Sequence, residues 1–190
     1  RDPILTIAGS MSGRPLFYSP KDNREAAERA KQSLSSSKSD HLTMVAAYKG
    51  WAKAKSQGKP FERRFCEEYF LSQQALEAVQ ASRVDYASIL ADLGFVRREY
   101  INNMRRYGAG GTEADSNAEV KRVIKAALVA GFYPHVLRVK HPETKYTQTT
   151  SGAIAKAANS RELKYYSKDI GRVFLHPASV NFHCGKYESR

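Results

Sequence analysis

The sequence predicts a mainly α protein: a helical bundle over residues 1–134, followed by a partial β structure over residues 135–190. Three observations predict it. Apolar residues recur at steps of three and four through most of the first 130 positions. Capping residues and glycine stops punctuate that periodicity. After Pro134 the texture changes to partial alternation, with Thr-rich and β-branched runs.

The elements follow in chain order. Residues 2–12 read as a short buried helix, with Asp2 able to cap it and Pro3 suited to its first turn. Gly13, Pro15 and Pro20 make residues 13–20 an irregular loop carrying Leu16, Phe17 and Tyr18. From Lys21 to Leu34 the chain is Ala/Glu/Arg-rich, good material for a solvated helix, and the serine run Ser35–Ser37 breaks it. Ser39-Asp40 caps a central helix through about Gln57, apolar on most sides and stopped by Gly58 and Pro60. Phe61, Phe65 and Tyr69 share one face of a further helix.

The clearest periodicity runs from 76 to 93 (Leu76, Val79, Tyr86, Leu90, Leu93) and stops at Gly94. Arg83 falls on that apolar stripe, where an arginine either snorkels, pairs with a carboxylate or contacts a ligand directly. Residues 100–115 are Gly-rich and aperiodic and read as a loop. Ser116-x-x-Glu119 reads as a capping box for a helix carrying Val120, Val123, Ile124, Ala127 and Leu128. In the β part, residues 136–140 read as a strand and 141–151 as a turn or hairpin. Residues 153–168 fit neither template, and Arg172–Leu175 read as a strand that Val180–Phe182 continue. Two or three strands leave open edges, so the β part looks truncated. A chain beginning Arg1-Asp2-Pro3 likewise reads as a piece of a longer one.

Charge narrows the function. The net charge is +12, and it is uneven: residues 1–100 hold 16 Lys/Arg against 12 Asp/Glu, and residues 101–190 hold 15 against 7. Such an excess favours polyanion partners, because neutralised phosphates release counterions. Cys66 and Cys184 lie far apart without a CxxC spacing, which fits free thiols in a reducing compartment. No apolar run approaches a membrane span. Catalytic signatures are also missing from the sequence. It has no GxxxxGK[ST] phosphate loop, no DExH acidic motif, no HExxH and no GxSxG. Gly108-Ala109-Gly110-Gly111 lacks the lysine of a phosphate loop. His41, His135, His141, His176 and His183 have no spacing that suggests a metal site.

Six segments, in order, carry a resemblance. Asp2-Pro3-Ile4-Leu5-Thr6-Ile7-Ala8 resembles "DPxLTIAAxLS", and Phe17-x-Ser19-Pro20 resembles "PFxxP". Ser39-Asp40-His41-Leu42 with Ala47-Tyr48-x-Gly50-Trp51 resembles "SDHLxxLxAYxxW". Cys66-x-x-x-Phe70-Leu71-Ser72 is similar to "CxxxFLS". Ala127-Leu128-x-Ala130-Gly131-x-Tyr133-Pro134-x-Val136 resembles "ALxAGLYPNV", and Val173–Val180 resembles "VxxHPSSV". Together they resemble the C-terminal region of DEAH/RHA-family ATP-dependent RNA helicases, in wording closest to the RHA-like branch.

The resemblance implies a ratchet-like helicase-associated domain over 1–134 and the start of an OB-fold, a partial β-barrel, over 135–190. It implies a parent protein whose motor domains, absent from this sequence, bind ATP and Mg²⁺, while this segment needs no cofactor and catalyses nothing alone. Its implied partners are RNA, the motor and winged-helix domains of the same chain, and protein activators or the ribosome, with no membrane, in the cytoplasm or nucleus. A single-strand channel needs cations for phosphates and flat side chains for bases. Lys140, His141, Lys145, Tyr146, His176 and Asn181 supply both, with Arg83 as a contact from the helices and Arg105 and Arg106 as further candidates. The bland reading of each is a solvated surface group or a strand-end turn. The alternative to a helicase segment is a stand-alone basic RNA-binding or protein-interaction module.

Overall fold

The computed structural model describes residues 1–142, 146–149, 152–155, 162–185 and 187. The chain divides into two compact units, Arg1–Ala130 and Gly131–Arg190. The first is all helical and the second carries the strands, so the protein is mainly α, a helical bundle followed by a small antiparallel sheet.

In the helical unit, α1 spans Asp2–Ser12 and buries Leu5, Thr6, Ile7 and Ser10. Asp2 is its first residue rather than its cap, because its carboxylate is drawn to Arg83 instead. The loop after it is stitched down: Tyr18 N–H donates to the Phe70 carbonyl (3.0 Å) and Ser72 N–H to the Leu16 carbonyl (2.8 Å). A single 3₁₀ turn at Lys21–Asn23 leads into α2, Arg24–Leu34, which buries only Ala27. The long α3, Asp40–Ser56, starts where the Ser39 hydroxyl accepts from Leu42 N–H (3.3 Å). It buries Leu42, Val45, Ala47, Tyr48, Trp51 and Ala54, and so runs through the middle of the bundle. Gly58, at φ +116°, reverses the chain into α4, Lys59–Glu68. The expected aromatic face of α4 is only half-buried and Phe61 is exposed; the side chains it buries are Glu62 and Cys66. The Glu62 carboxylate accepts from the Trp51 indole N–H through Oε1 (3.0 Å), and its Oε2 is ion-paired with the exposed Lys59 (3.2 Å), which offsets the cost of burying its charge.

α5, Gln73–Asp92, begins with the Ser72 hydroxyl accepting from Ala75 N–H and packs against α1. Residues 98–107 form a helix, α6 (Arg98–Tyr107), where the sequence reads as loop. Tyr100 and Met104, one turn apart, anchor it in the core with Ile101 packed against them, a run too short to stand out beside the glycines that follow. The glycines after it have backbone reasons. Gly108 ends α6 at φ +76°, and a Cβ on Gly110 would lie 1.9 Å from the ring of the fully buried Tyr100. The Ser116-x-x-Glu119 box does not cap a helix; Glu119 reaches Lys49 instead, and α7 runs later, Lys121–Phe132, burying Ile124 against Ile7, Leu42 and Val45.

In the second unit, β1 (Leu137–Lys140), β4 (Lys164–Ser167) and β5 (Gly171–Val173) form an antiparallel sheet in the order β1-β4-β5. β2 (Tyr146–Thr149) and β3 (Gly152–Ala155) form a separate antiparallel pair. The stretch 153–168, which fitted neither template, therefore contains most of β3 and all of β4. Phe174 and Leu175 fall outside β5, and Val180–Phe182 form a turn rather than a continuing strand, because the chain bends at His176-Pro177.

Candidate nucleic-acid interface

The register of the three-stranded sheet sorts its side chains by chemistry. Residues directly opposite in an antiparallel pair project from the same face. Arg138 of β1 faces Tyr166 of β4, and Tyr166 faces Arg172 of β5, so the three make one row across the sheet. Lys140 and Lys164 are opposite one another on that same face. The other face carries Leu137, Val139, Tyr165 and Val173, with Tyr165 buried. One face therefore offers four cations around a tyrosine and no carboxylate. Arg138, Lys140, Lys164 and Arg172 are all exposed, and none makes an ion pair among the described residues.

Two aromatic contacts shape the row. The Arg138 guanidinium lies 5.8 Å from the centroid of the Tyr166 ring, and the Arg172 guanidinium 4.9 Å from that of Phe174. Phe174 is 77 % exposed, so its ring remains open to a second flat partner. Like charges placed directly opposite cost a sheet stability. Neither Lys140 nor Lys164 is ion-paired with a carboxylate among the described residues. An anion bound from outside removes the penalty, which gives this face a physical reason to hold one.

The side chains singled out in the sequence fare differently. Lys140 belongs to this face, and the exposed His141 follows it directly. Tyr146 lies in the separate β2–β3 pair, and Lys145 lies outside the described residues. His176 and Asn181 sit in the turns after β5. The His176 ring nitrogen Nδ1 accepts from Ala178 N–H (3.1 Å), the geometry of a strand-end turn. In that region Leu175, Phe182 and His183 line a cavity of about 330 Å³ with Leu163 and Tyr165.

Arg83 is a correction. Its side chain is 1 % exposed and withdrawn from any surface ligand. One terminal nitrogen donates to the Tyr48 hydroxyl and the Gly108 carbonyl (3.0 Å), and the other is ion-paired with Asp2. Nearby, Asp115 accepts from Asp2 N–H (2.8 Å) and from the Tyr100 hydroxyl (3.1 Å). The apolar stripe of α5 buries an arginine because α1, α3 and the turn after α6 each present it a partner. Arg83 thus ties the helices together, the carboxylate-paired alternative for such a position.

Sequence reasoning missed Arg138, Lys164, Tyr166 and Arg172. The signal was present as alternation in Leu137-Arg138-Val139-Lys140 and in Arg172-Val173, but only the register shows that these short strands share a face.

Relatives extend this picture. No family model matches the chain. It is 37 % identical over 195 residues to a DEAH-box ATP-dependent helicase of Mycosarcoma maydis, covering 98 % of this chain and 12 % of that protein. It is 36 % identical to the ATP-dependent RNA helicase DHX57 of Mus musculus, covering 99 % of this chain and 14 % of that protein. Against the ATP-dependent DNA/RNA helicase DHX36 of Bos taurus it is 34 % identical, covering 95 % of the chain and 16 % of that protein. The chain thus spans between 12 % and 16 % of the length of these relatives. By these matches the chain belongs to the DEAH-box ATP-dependent helicases and fits the C-terminal region of their DEAH/RHA class.

Proposed function

We propose that this chain is an accessory, non-catalytic segment of an ATP-dependent DEAH/RHA RNA helicase, and that the cationic face of its sheet holds single-stranded RNA. The row Arg138–Tyr166–Arg172, with Lys140 and Lys164 beside it, carries the reading. Cations that track phosphates, interleaved with rings that stack bases, are the two parts a single-strand site requires. The names of the relatives, an ATP-dependent RNA helicase and an ATP-dependent DNA/RNA helicase, support RNA as the polymer and ATP as the fuel of a parent protein, in which Mg²⁺ would accompany the ATP. On this reading the β1-β4-β5 sheet is the start of an OB-fold. A motor and a winged helix elsewhere in the parent would supply what the segment lacks: no phosphate-cradling loop occurs in these 190 residues.

The test is anisotropy of a short fluorescein-labelled single-stranded oligoribonucleotide with the whole chain, across a salt series. Binding should weaken steeply with salt. The variant R138Q/K140Q/K164Q should lower the slope of log affinity against log salt by about 2, at roughly 0.7 per single-strand phosphate contact. Y166A should weaken binding about tenfold with the slope unchanged, since a stacked base contributes about 1–3 kcal/mol. Equal affinity of parent and variants would sink the reading, as would ATP hydrolysis by the chain alone.

A further inference from the structure

We propose that Ser36 is a phosphorylation site and that Lys121 is the receptor for its phosphate. The proposal does not depend on the reading of the sheet face. Both residues belong to the compact unit Arg1–Ala130. Ser36 lies in the connection 35–39, between the end of α2 at Leu34 and the start of α3 at Asp40. Lys121 is the first residue of α7. Across 85 positions of sequence, the Lys121 ammonium donates to the Ser36 hydroxyl oxygen at 2.9 Å.

Three observations single out Ser36 among the serines of residues 33–39. First, its hydroxyl is the accessible one. Ser33 donates its hydroxyl to the Ala30 carbonyl (2.7 Å), and Ser39 caps α3 by accepting from Leu42 N–H (3.3 Å). Between them Ser35 and Ser37 are half-buried, whereas Ser36 is exposed. Second, its flanks are cationic. Residues 29–39 carry Arg29, Lys31 and Lys38 and no carboxylate, a charge pattern that a kinase with an acidic substrate groove selects. Third, a counter-charge already stands beside it. Lys121 makes no ion pair among the described residues. The first turn of α7 adds Arg122 and holds no acid, and Glu119, just before it, is paired with Lys49. In the modification, the Ser36 oxygen attacks the γ-phosphorus of ATP held by a protein-serine kinase. The serine P–O bond forms, the bond to the bridging oxygen of ADP breaks, and the hydroxyl proton passes to the kinase's base. The product carries nearly two negative charges and three acceptor oxygens, so a neutral contact with Lys121 becomes a charge-assisted one. The exposed, flexible lysine stem makes room for the larger group while keeping the pair.

The clamp acts on α2. That helix buries only Ala27, with Leu34 packed against the core and Lys31 ion-paired with Asp40 (3.4 Å). Fixing the connection at its C-terminal end to α7 restrains the whole helix.

The experiment has two arms on the whole chain. In the first, the folded chain and S36A are incubated with protein kinase C, a basophilic kinase, and ATP, and phosphopeptides are located by mass spectrometry. Phosphate should appear on Ser36 and be lost in S36A; phosphate absent from Ser36 overturns the proposal. In the second, phosphoserine is placed at position 36 by genetic code expansion, with Lys121 intact or as K121Q. The second ionisation of the phosphate, about 6 when free, should fall about half a unit lower with Lys121 than with K121Q, read by ³¹P NMR. That difference should vanish at about 1 M salt. Amide deuterium exchange across residues 24–34 should slow severalfold on phosphorylation with Lys121 present and stay unchanged in K121Q. Equal phosphate titration with and without Lys121 removes the receptor and overturns the proposal. So does exchange in α2 that ignores the phosphate.

Discussion

Arg83 and Arg138 place the same guanidinium in opposite circumstances. Arg83 is buried in the helical unit with a carboxylate, a phenol and a carbonyl as partners. Arg138 stands on an exposed strand with cations across the sheet and a tyrosine ring beside it. The first is satisfied by its own fold and the second only by something else. Net charge alone would count them equally; partner geometry separates a cation that builds the protein from one the protein offers.

The contrast can be broken most decisively at Arg83. Replacing it with Met should cost about 3–5 kcal/mol, because Asp2, whose side chain is only 13 % exposed, is left without its counter-charge. Urea unfolding measures this. D2N/R83M should recover part of the loss. If R83M unfolds like the parent but loses RNA affinity, the assignment of Arg83 to the interior is wrong. Next in size is Gly110→Ala, whose added methyl meets the buried Tyr100 ring and should cost about 1–3 kcal/mol in the same assay.

The two cysteines sharpen the contrast between units. Cys66 is buried in the helical unit, and burial, reinforced by the nearby carboxylate of Glu62, pushes its thiol up to about 11. Cys184, in the other unit, is half-buried. Iodoacetamide at neutral pH should therefore modify Cys184 well ahead of Cys66, as mass spectrometry of the digested protein would read. The sign for stability follows. A thiol held more protonated in the fold than in the unfolded chain contributes fully below its ordinary value near 9, and that contribution is lost as pH rises from there towards 11. The smallest effect belongs to the sheet face. R138Q/K140Q/K164Q should change unfolding stability by no more than about 0.5 kcal/mol, because exposed cations without a carboxylate partner contribute little and the loss of the Arg138–Tyr166 contact is offset by relief of the Lys140–Lys164 repulsion. A large destabilisation would make that face structural.

The sequence was legible where one residue type does one local job. Ser39 announces α3, and Gly58 and Gly94 mark turns in the left-handed region, so the helices between them could be read directly. Legibility failed where a distant residue intervenes. Asp2 is taken from its capping role by Arg83, 81 positions away, and Glu119 is taken from its box by Lys49, 70 positions away. The candidate site was half legible for the same reason. Lys140 and His141 stand out as polar residues beside a strand, but Tyr166 joins them only through its pairing with Arg138, 28 positions away, and Arg172 only through Tyr166 in turn.

The loop over residues 13–20, joined to the segment around Phe70 by two backbone hydrogen bonds, has a consequence for how this protein breathes. A stretch without helix or strand ordinarily surrenders its amide protons to solvent quickly and offers a protease its peptide bonds. Here the amides of Tyr18 and Ser72 are occupied and Leu16 is sealed beneath them, so deuterium should enter at those two positions on the slow timescale of the surrounding helices. In this loop, kinetic protection follows the stitching of the backbone rather than the presence of a named element.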